Sequence, residues 1–270
     1  MPPSTPTEVA LTALAQAAGM HALPVFVGLL ALLLVAVGMV DWSVRRVARQ
    51  RRGREVHPLG SLAVGLVLGF ALVVGAGYLF AVLAQEVVAV EGLARVDQAF
   101  SDAVHRSTSA SVLQAFGWIT HLGDPATLLA LAVGVVGVLL VRGERLLALT
   151  YVMAVGGNTL LNPALKRVFE RSRPLATDGL AFDGWSFPSG HSSGSLVAYG
   201  MLAYVLMRTL GRGWHRPAVL LAAAVAFTVG ASRIFLQAHF ASDVLAGFAS
   251  ATAWLTVCIV STELVRRRRR

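Results

Sequence analysis

Three short stretches of this 270-residue chain combine residue types and spacings suited to handling an anion. The first reads Lys166-Arg167-Val168-Phe169-Glu170-Arg171-Ser172-Arg173-Pro174. The second is Pro188-Ser189-Gly190-His191, at the start of an apolar run that continues to Leu210. The third holds Ser232-Arg233, then His239, then Asp243. Lys166, Arg173 and Arg233 offer three cations to a phosphate or similar oxyanion, which an arginine can grip with two parallel donors. Lys166 is the only lysine against 22 arginines, which hints at a demand for a compact ammonium with rotatable donors. Ser189 and Gly190 fall where a helix begins, and the unpaired N–H groups and dipole of a helix start favour negative charge. Gly190 lets backbone and ligand approach closely. His239 and Asp243 are four residues apart and share a face if a helix begins near His239. The carboxylate can then fix the tautomer and leave one ring nitrogen as a nucleophile or base. His191 has no such partner nearby in sequence and fits a protonated donor to a leaving oxygen.

Taken singly, each feature has an ordinary explanation. A histidine beside a helix start is a common boundary residue, an arginine at a span end can snorkel, and a Ser-Gly pair can simply cap or turn. What separates these three stretches is whether the chain brings them to one place, and that depends on the elements that carry them.

The composition identifies those elements. The chain is 56% hydrophobic and 14% charged, where a soluble domain carries about a quarter charged residues. Apolar runs of membrane-crossing length fall at roughly 24–40, 61–85, 125–141, 146–164, 191–210, 217–236 and 243–263, which predicts seven spans. Between the second and third lies a less apolar stretch, Glu86 to Asp124, whose spacing predicts amphipathic helices at the surface. Basic residues cluster between runs: six arginines from Arg45 to Arg54, then Arg142 and Arg145, then Arg208, Arg212 and Arg216, then Arg266 to Arg270. An odd number of spans puts these 16 of the 23 basic residues on one side, which the positive-inside rule makes cytoplasmic. The N-terminus is then outside, the C-terminus inside, and all three stretches meet at the outer face. Trp42 and Trp214 suit the inner boundary, Trp118 and Trp185 the outer one.

The same distribution argues against nucleic acid despite a net charge of +9, because the charge lies in short blocks between apolar runs. The single cysteine, Cys258, excludes an intramolecular disulfide and a cysteine metal site. No Lys or Arg precedes the first apolar run, which disfavours a cleaved signal peptide.

Lys-x6-Arg-Pro, Pro-Ser-Gly-His and Ser-Arg-x5-His-x3-Asp, in that order, resemble the three-part signature of the type 2 phosphatidic acid phosphatase (PAP2) superfamily, with no motif position substituted. The resemblance covers about 61–263 and implies an all-α, polytopic transmembrane bundle with a six-helix core. On this reading residues 1–60 add a tail, one extra span and an Arg-rich cytoplasmic link, and 264–270 form a basic tail. It implies a lipid phosphate phosphatase of the cell membrane that needs no metal and no cofactor. His239 would attack phosphorus and form a phosphohistidine, with Asp243 orienting it and His191 protonating the leaving group. Lys166, Arg173, Ser189, Gly190 and Arg233 would hold the phosphoryl oxygens. Substrates of this class include undecaprenyl diphosphate, phosphatidylglycerophosphate, phosphatidic acid and diacylglycerol diphosphate. A phosphotransferase using the same intermediate is the nearest alternative. A transporter is less compatible, since its charged residues belong near the bilayer midplane rather than at span ends.

Four further expectations follow. Glu170 pairs with Arg167 or Arg171, or tunes access. The loop from Leu175 to Trp185, with Asp178 and Asp183, borders the entrance. Asn158 and Asn162 bond to neighbouring helices, and Gly65-x3-Gly69 marks close helix packing.

Overall fold

The computed structural model describes residues 6–50, 58–89, 92–174 and 184–269. Among the described residues ten α-helices follow one another: α1 (Pro6–Met20), α2 (Ala22–Gln50), α3 (Pro58–Val88), α4 (Gly92–Ser107), α5 (Ala110–Thr120), α6 (Pro125–Val141), α7 (Arg145–Phe169), α8 (Gly190–Thr209), α9 (His215–Phe235) and α10 (Ala241–Arg268). No strand occurs among the described residues. The all-helical bundle is the expected one, and the seven apolar runs coincide with α2, α3 and α6 to α10.

The helices differ in how well they satisfy a bilayer. Four of them, α2, α3, α9 and α10, are each long and apolar enough to cross alone. The 17-residue α6 reaches that length only together with α5, from which it bends by 45°. The remaining two, α7 and α8, fall short because they carry Asn158, Asn162 and Lys166, and Ser192, Ser193 and Ser195, on faces turned into the protein. The polar cost is concentrated where the three motifs sit. The chain is a multi-pass membrane protein.

Packing organises around α8. Leu147 and Tyr151 of α7, Val197 and Met201 of α8, and Ala251 of α10 form the main buried cluster, with Leu139 of α6. Tyr151 is wholly buried and donates its hydroxyl to the Ala198 carbonyl at 3.0 Å. A second cluster sets Phe26 of α2 edge-on to Phe116 of α5 and Phe235 of α9. The extra N-terminal span therefore docks on α9. In α3, Gly69 fits against α10 where an added Cβ would lie 2.8 Å from Val260, whereas Gly65 meets nothing within 4 Å. Of the Gly-x3-Gly pair only the second glycine is a packing contact.

Two elements depart from expectation. Residues Pro6–Met20, read from sequence as a plain tail, form α1, which lies on α4. Ser107 donates to the Gly19 carbonyl at 2.8 Å, and Arg95 pairs with Glu8 at 3.1 Å. The stretch from Glu86 to Asp124 does form amphipathic α4, but its buried face includes Asp97 and Ser101, and α5 is itself the first half of the bent pair with α6. Its inward face is polar because it meets the site.

The start of α8 is locked to α10 through backbone. Ser189 N–H donates to the Asp243 carbonyl at 3.0 Å, and a Cβ on Gly247 would come within 2.6 Å of the Ser189 carbonyl oxygen. That oxygen cannot rotate away as a side chain could. Gly247→Ala is expected to destabilise the protein by roughly 1–3 kcal/mol, as overpacking does, read as a lower thermal midpoint in detergent.

Candidate active site

His239 sits in the short turn between α9 and α10. Its backbone is fixed by the end of α9, where the Arg233 carbonyl accepts from both Ala238 N–H at 3.0 Å and His239 N–H at 3.1 Å. Gln237 takes a left-handed conformation (φ 56°). Its side chain is clamped to α4, accepting from Ser101 Oγ at 2.6 Å and donating to the Ser101 carbonyl at 3.2 Å. At the start of α10 Asp243, at the third helical position, reaches back and accepts from Phe240 N–H at 2.9 Å. The same carboxylate oxygen lies 3.5 Å from His239 Nδ1, although α10 begins only at Ala241 and the contact is made from the turn before it rather than along a shared helical face. The ring is 3% exposed. Burial pushes its pKa down to about 4, against the opposing pull of Asp243, so the imidazole is neutral near pH 7.

Asp243 is held from behind by a residue outside the expected set. Arg171 Nη1 donates to Asp243 Oδ1 at 2.6 Å and to Ser242 Oγ at 2.7 Å, and Arg171 Nη2 donates to Asp97 Oδ2 at 2.9 Å. Its guanidinium also lies over the Phe240 ring, 4.5 Å from the centroid. Asp97 accepts from both the hydroxyl and, at 3.3 Å, the backbone N–H of Ser242. Burial raises the Asp97 pKa, and the hydrogen bond from Ser242 and the charge of Arg171 oppose that rise. The expected pairing of Arg171 with Glu170 is not what forms. Glu170 is exposed and ends α7 in a left-handed C-cap (φ 44°), which points the chain so that Arg171 turns inward. Asp97 and Arg171 were missed because their partners are 74 and 72 residues away in sequence. The available signal was an acid at the centre of an amphipathic helix.

The cations converge as expected. Lys166, Arg173, Arg233, Gly190, His191 and His239 all line one cavity of about 460 Å³. Lys166 donates to the Trp185 carbonyl. Arg173 donates to the Gly184 carbonyl at 3.0 Å and the Ala238 carbonyl at 2.6 Å, and lies 3.4 Å from His239 Nε2. Arg233 is buried and donates to Thr120 Oγ1 at 2.8 Å. Below this cationic mouth the cavity wall turns apolar, with Leu128, Leu129, Val155 and Val197.

The second motif contributes differently from the sequence reading. Ser189 is fully buried as the N-cap of α8, and its hydroxyl accepts from Ser192 Oγ at 2.9 Å rather than lining the cavity. Gly190 does line it, but what its missing side chain accommodates is Asn162, whose Oδ1 would lie 3.1 Å from an added Cβ. Asn162 in turn donates to the Pro188 carbonyl at 3.3 Å and to Ser193 Oγ at 3.2 Å, and Asn158 donates to the same hydroxyl at 3.4 Å. The two asparagines thus tie α7 to α8, as expected. His191, unpartnered in its sequence neighbourhood, meets Asp124 at 2.9 Å. Residues 175–183, which hold Asp178 and Asp183, lie outside the described residues.

A membrane bundle whose polar residues at helix ends surround one cationic cavity, with a neutral histidine facing it, belongs to the class of membrane-embedded phosphoryl hydrolases. Comparison with known proteins narrows this. The model of the PAP2 superfamily matches residues 145–267. Phosphatidylglycerophosphatase B of Bacillus subtilis (strain 168) is 31% identical over 173 residues, spanning 63% of this chain and 85% of the relative. The crystal structure of a transmembrane PAP2-type phosphatidylglycerolphosphate phosphatase from Bacillus subtilis superimposes with a TM-score of 0.68 at 28% identity, covering 72% of this chain and 98% of that one. The chain belongs to the PAP2 superfamily. It is a lipid phosphate phosphatase.

Removing Arg171 strands two buried carboxylates. Arg171→Met is expected to cost roughly 3–5 kcal/mol of stability, as the loss of one partner from a buried ion pair does. Chemical denaturation in detergent micelles would measure it.

Proposed function

We propose that this protein hydrolyses the phosphomonoester of a glycerophospholipid of the phosphatidylglycerophosphate type at the outer face of the membrane, through a phosphohistidine on His239. The observation that carries this reading is the meeting of His239, His191, Lys166, Arg173 and Arg233 around one cavity. The phosphate occupies the cationic mouth, with the α8 N-terminus contributing backbone donors. Its lipid portion extends along the apolar wall formed by Leu128, Leu129, Val155 and Val197. The substrate type follows from the two relatives, and the outer location follows from the distribution of arginines.

In the first half of the reaction, His239 Nε2 forms a bond to phosphorus as the bond to the leaving oxygen breaks. His191 gives that oxygen a proton. In the second half, water attacks phosphorus, the P–N bond breaks, and His191 takes the proton from water. Asp243 holds the other side of the His239 ring and stabilises the charge that the ring acquires. The three cations neutralise the equatorial oxygens where negative charge is spread in the transition state. Ser189 acts through the cap that shapes the α8 mouth.

His239→Ala is expected to abolish both phosphate release and any acid-quenched phosphoenzyme trapped with labelled substrate. Full phosphate release by that variant would end the proposal. Vanadate should inhibit by mimicking the in-line transition state. Because side-chain cations supply the neutralising charge, EDTA should leave the rate unchanged.

The low pKa of His239 sets the acid side of the pH profile. A nucleophile must be unprotonated, and His239 remains so until the pH falls to about 4. The acid limb of kcat/KM is therefore expected near pH 4 rather than near the ordinary histidine value of about 6.5, as measured by initial rates of phosphate release in detergent.

A further inference from the structure

The bend between α5 and α6 brings a second carboxylate–imidazole pair to the cavity, from a segment that lies outside all three motifs and outside the region matched by the family model. Asp124 places Oδ1 2.9 Å from His191 Nε2 and Oδ2 2.7 Å from His121 Nδ1. The local sequence Leu122-Gly123-Asp124-Pro125 builds this contact. Gly123 is buried, and a Cβ there would lie 2.5 Å from Val229 and 3.0 Å from Cδ2 of His191, so the ring can pack this closely only against glycine. Pro125 opens α6, and Asp124 is its N-cap in extended conformation, yet its side chain makes no capping bond and turns to the histidines instead. Tyr199 of α8 donates to the Leu122 carbonyl at 2.8 Å, which holds the bend against the helix that carries His191.

The chemistry needs such a group. Lys166 from α7, Arg173 from the following segment and Arg233 from α9 share the cavity with His191, as does His239 from the α9–α10 turn. From the bend, Asp124 contacts the His191 ring and carries His121 on its other carboxylate oxygen. Positive neighbours disfavour a proton on an imidazole, whereas a general acid must hold one until the leaving oxygen takes it. Asp124 is the acidic group that contacts the ring and opposes those cations.

We propose, resting on the assignment of His191 as general acid, that Asp124 is the positioning residue that keeps the proton on His191 and presents its Nδ1 to the leaving oxygen. Nε2–H is committed to the carboxylate, so Nδ1 is the nitrogen that gives its proton to the departing oxygen and regains one from the attacking water. His121, which is largely exposed, takes the second carboxylate oxygen and prevents the group from rotating off His191. The nucleophile and the acid are thus each backed by a carboxylate, Asp243 from within α10 and Asp124 from across the bundle.

The test uses the full-length protein in detergent and its variants Asp124→Asn, Asp124→Glu, His191→Ala and the Asp124→Asn/His191→Ala double variant. Phosphate release is followed against pH with phosphatidylglycerophosphate and with p-nitrophenyl phosphate, whose leaving group needs little help from an acid. Asp124→Asn is nearly isosteric and should keep the wild-type thermal midpoint. Without the negative charge His191 loses its proton at lower pH, so the alkaline limb should move toward acid by roughly one pH unit or more. On the lipid, kcat should fall about tenfold to a hundredfold, within the roughly 10²–10⁴ a general acid supplies, with a smaller fall on p-nitrophenyl phosphate. Asp124→Glu should return the limb toward its wild-type position, and Asp124→Asn should add nothing in the His191→Ala background. An unmoved alkaline limb, an equal loss on both substrates, or a further loss in the His191→Ala background would overturn the assignment. Should His191→Ala itself keep full activity, the reaction scheme fails. If His191→Ala is crippled while Asp124→Asn behaves as wild type, this inference alone fails.

Discussion

The guanidinium of Arg171 is the point on which the site depends. It sits between two buried carboxylates, Asp97 and Asp243, within 2.9 Å of each. Two desolvated carboxylates this close would repel, and one would be driven to bind a proton. With Arg171 between them they become a network in which the hydrogen-bonding capacity is used. The network joins three pieces of chain: α4 through Asp97, the segment after α7 through Arg171, and the start of α10 through Ser242 and Asp243. The position of His239 follows, because its backbone is set by the adjoining turn and its ring lies 3.5 Å from Asp243. Such an arrangement contributes to uniqueness of structure more than to net stability, since the attraction mainly offsets desolvation.

The cationic seat poses the opposite difficulty. Lys166, Arg173 and Arg233 face one cavity and repel one another there. Each is restrained by neutral acceptors: the carbonyls of Trp185, Gly184 and Ala238, and the hydroxyl of Thr120. These neutral acceptors help fix the geometry without themselves cancelling positive charge. This is preorganisation in the electrostatic sense: the dipoles and charges are already in place when negative charge develops, and little reorganisation remains to be made. It also explains why the seat lies at helix ends, where carbonyls and turns supply acceptors that the middle of a membrane helix has already used within itself.

The two histidines differ in surroundings, and the difference matches their proposed roles. His239 is almost wholly enclosed and neutral, as a nucleophile should be. His191 is partly open to the cavity and rests on Asp124, which is itself partly exposed. Burial separates His239 from its proton, whereas His191 rests on a carboxylate that opposes the neighbouring cations, the support its proposed acid role calls for.

Much of this was legible in the residues. The run lengths announced a helical membrane bundle, and the motif spacings placed Lys166, Arg173, Gly190, His191, Arg233 and His239 together, because helix periodicity and the alternation of span ends are local and countable. The spacing of His239 and Asp243 likewise kept the pair close, although His239 lies in the turn before α10 rather than on its first turn. What the sequence could not disclose were contacts made across the bundle. Asp97 and Arg171 lie 74 positions apart, and Asp124 and His191 lie 67 apart, and nothing in their neighbourhoods names the partner. Ser189 looked like a phosphate ligand because its hydroxyl is near a helix mouth, yet its rotamer serves the cap. The α1 helix was invisible as a structural element because its partner, α4, is more than 70 residues downstream. Order along the chain determined the class of fold and the list of reactive groups. Only packing, which selects among side-chain directions and brings remote charges within hydrogen-bond reach, decided which carboxylate serves which histidine.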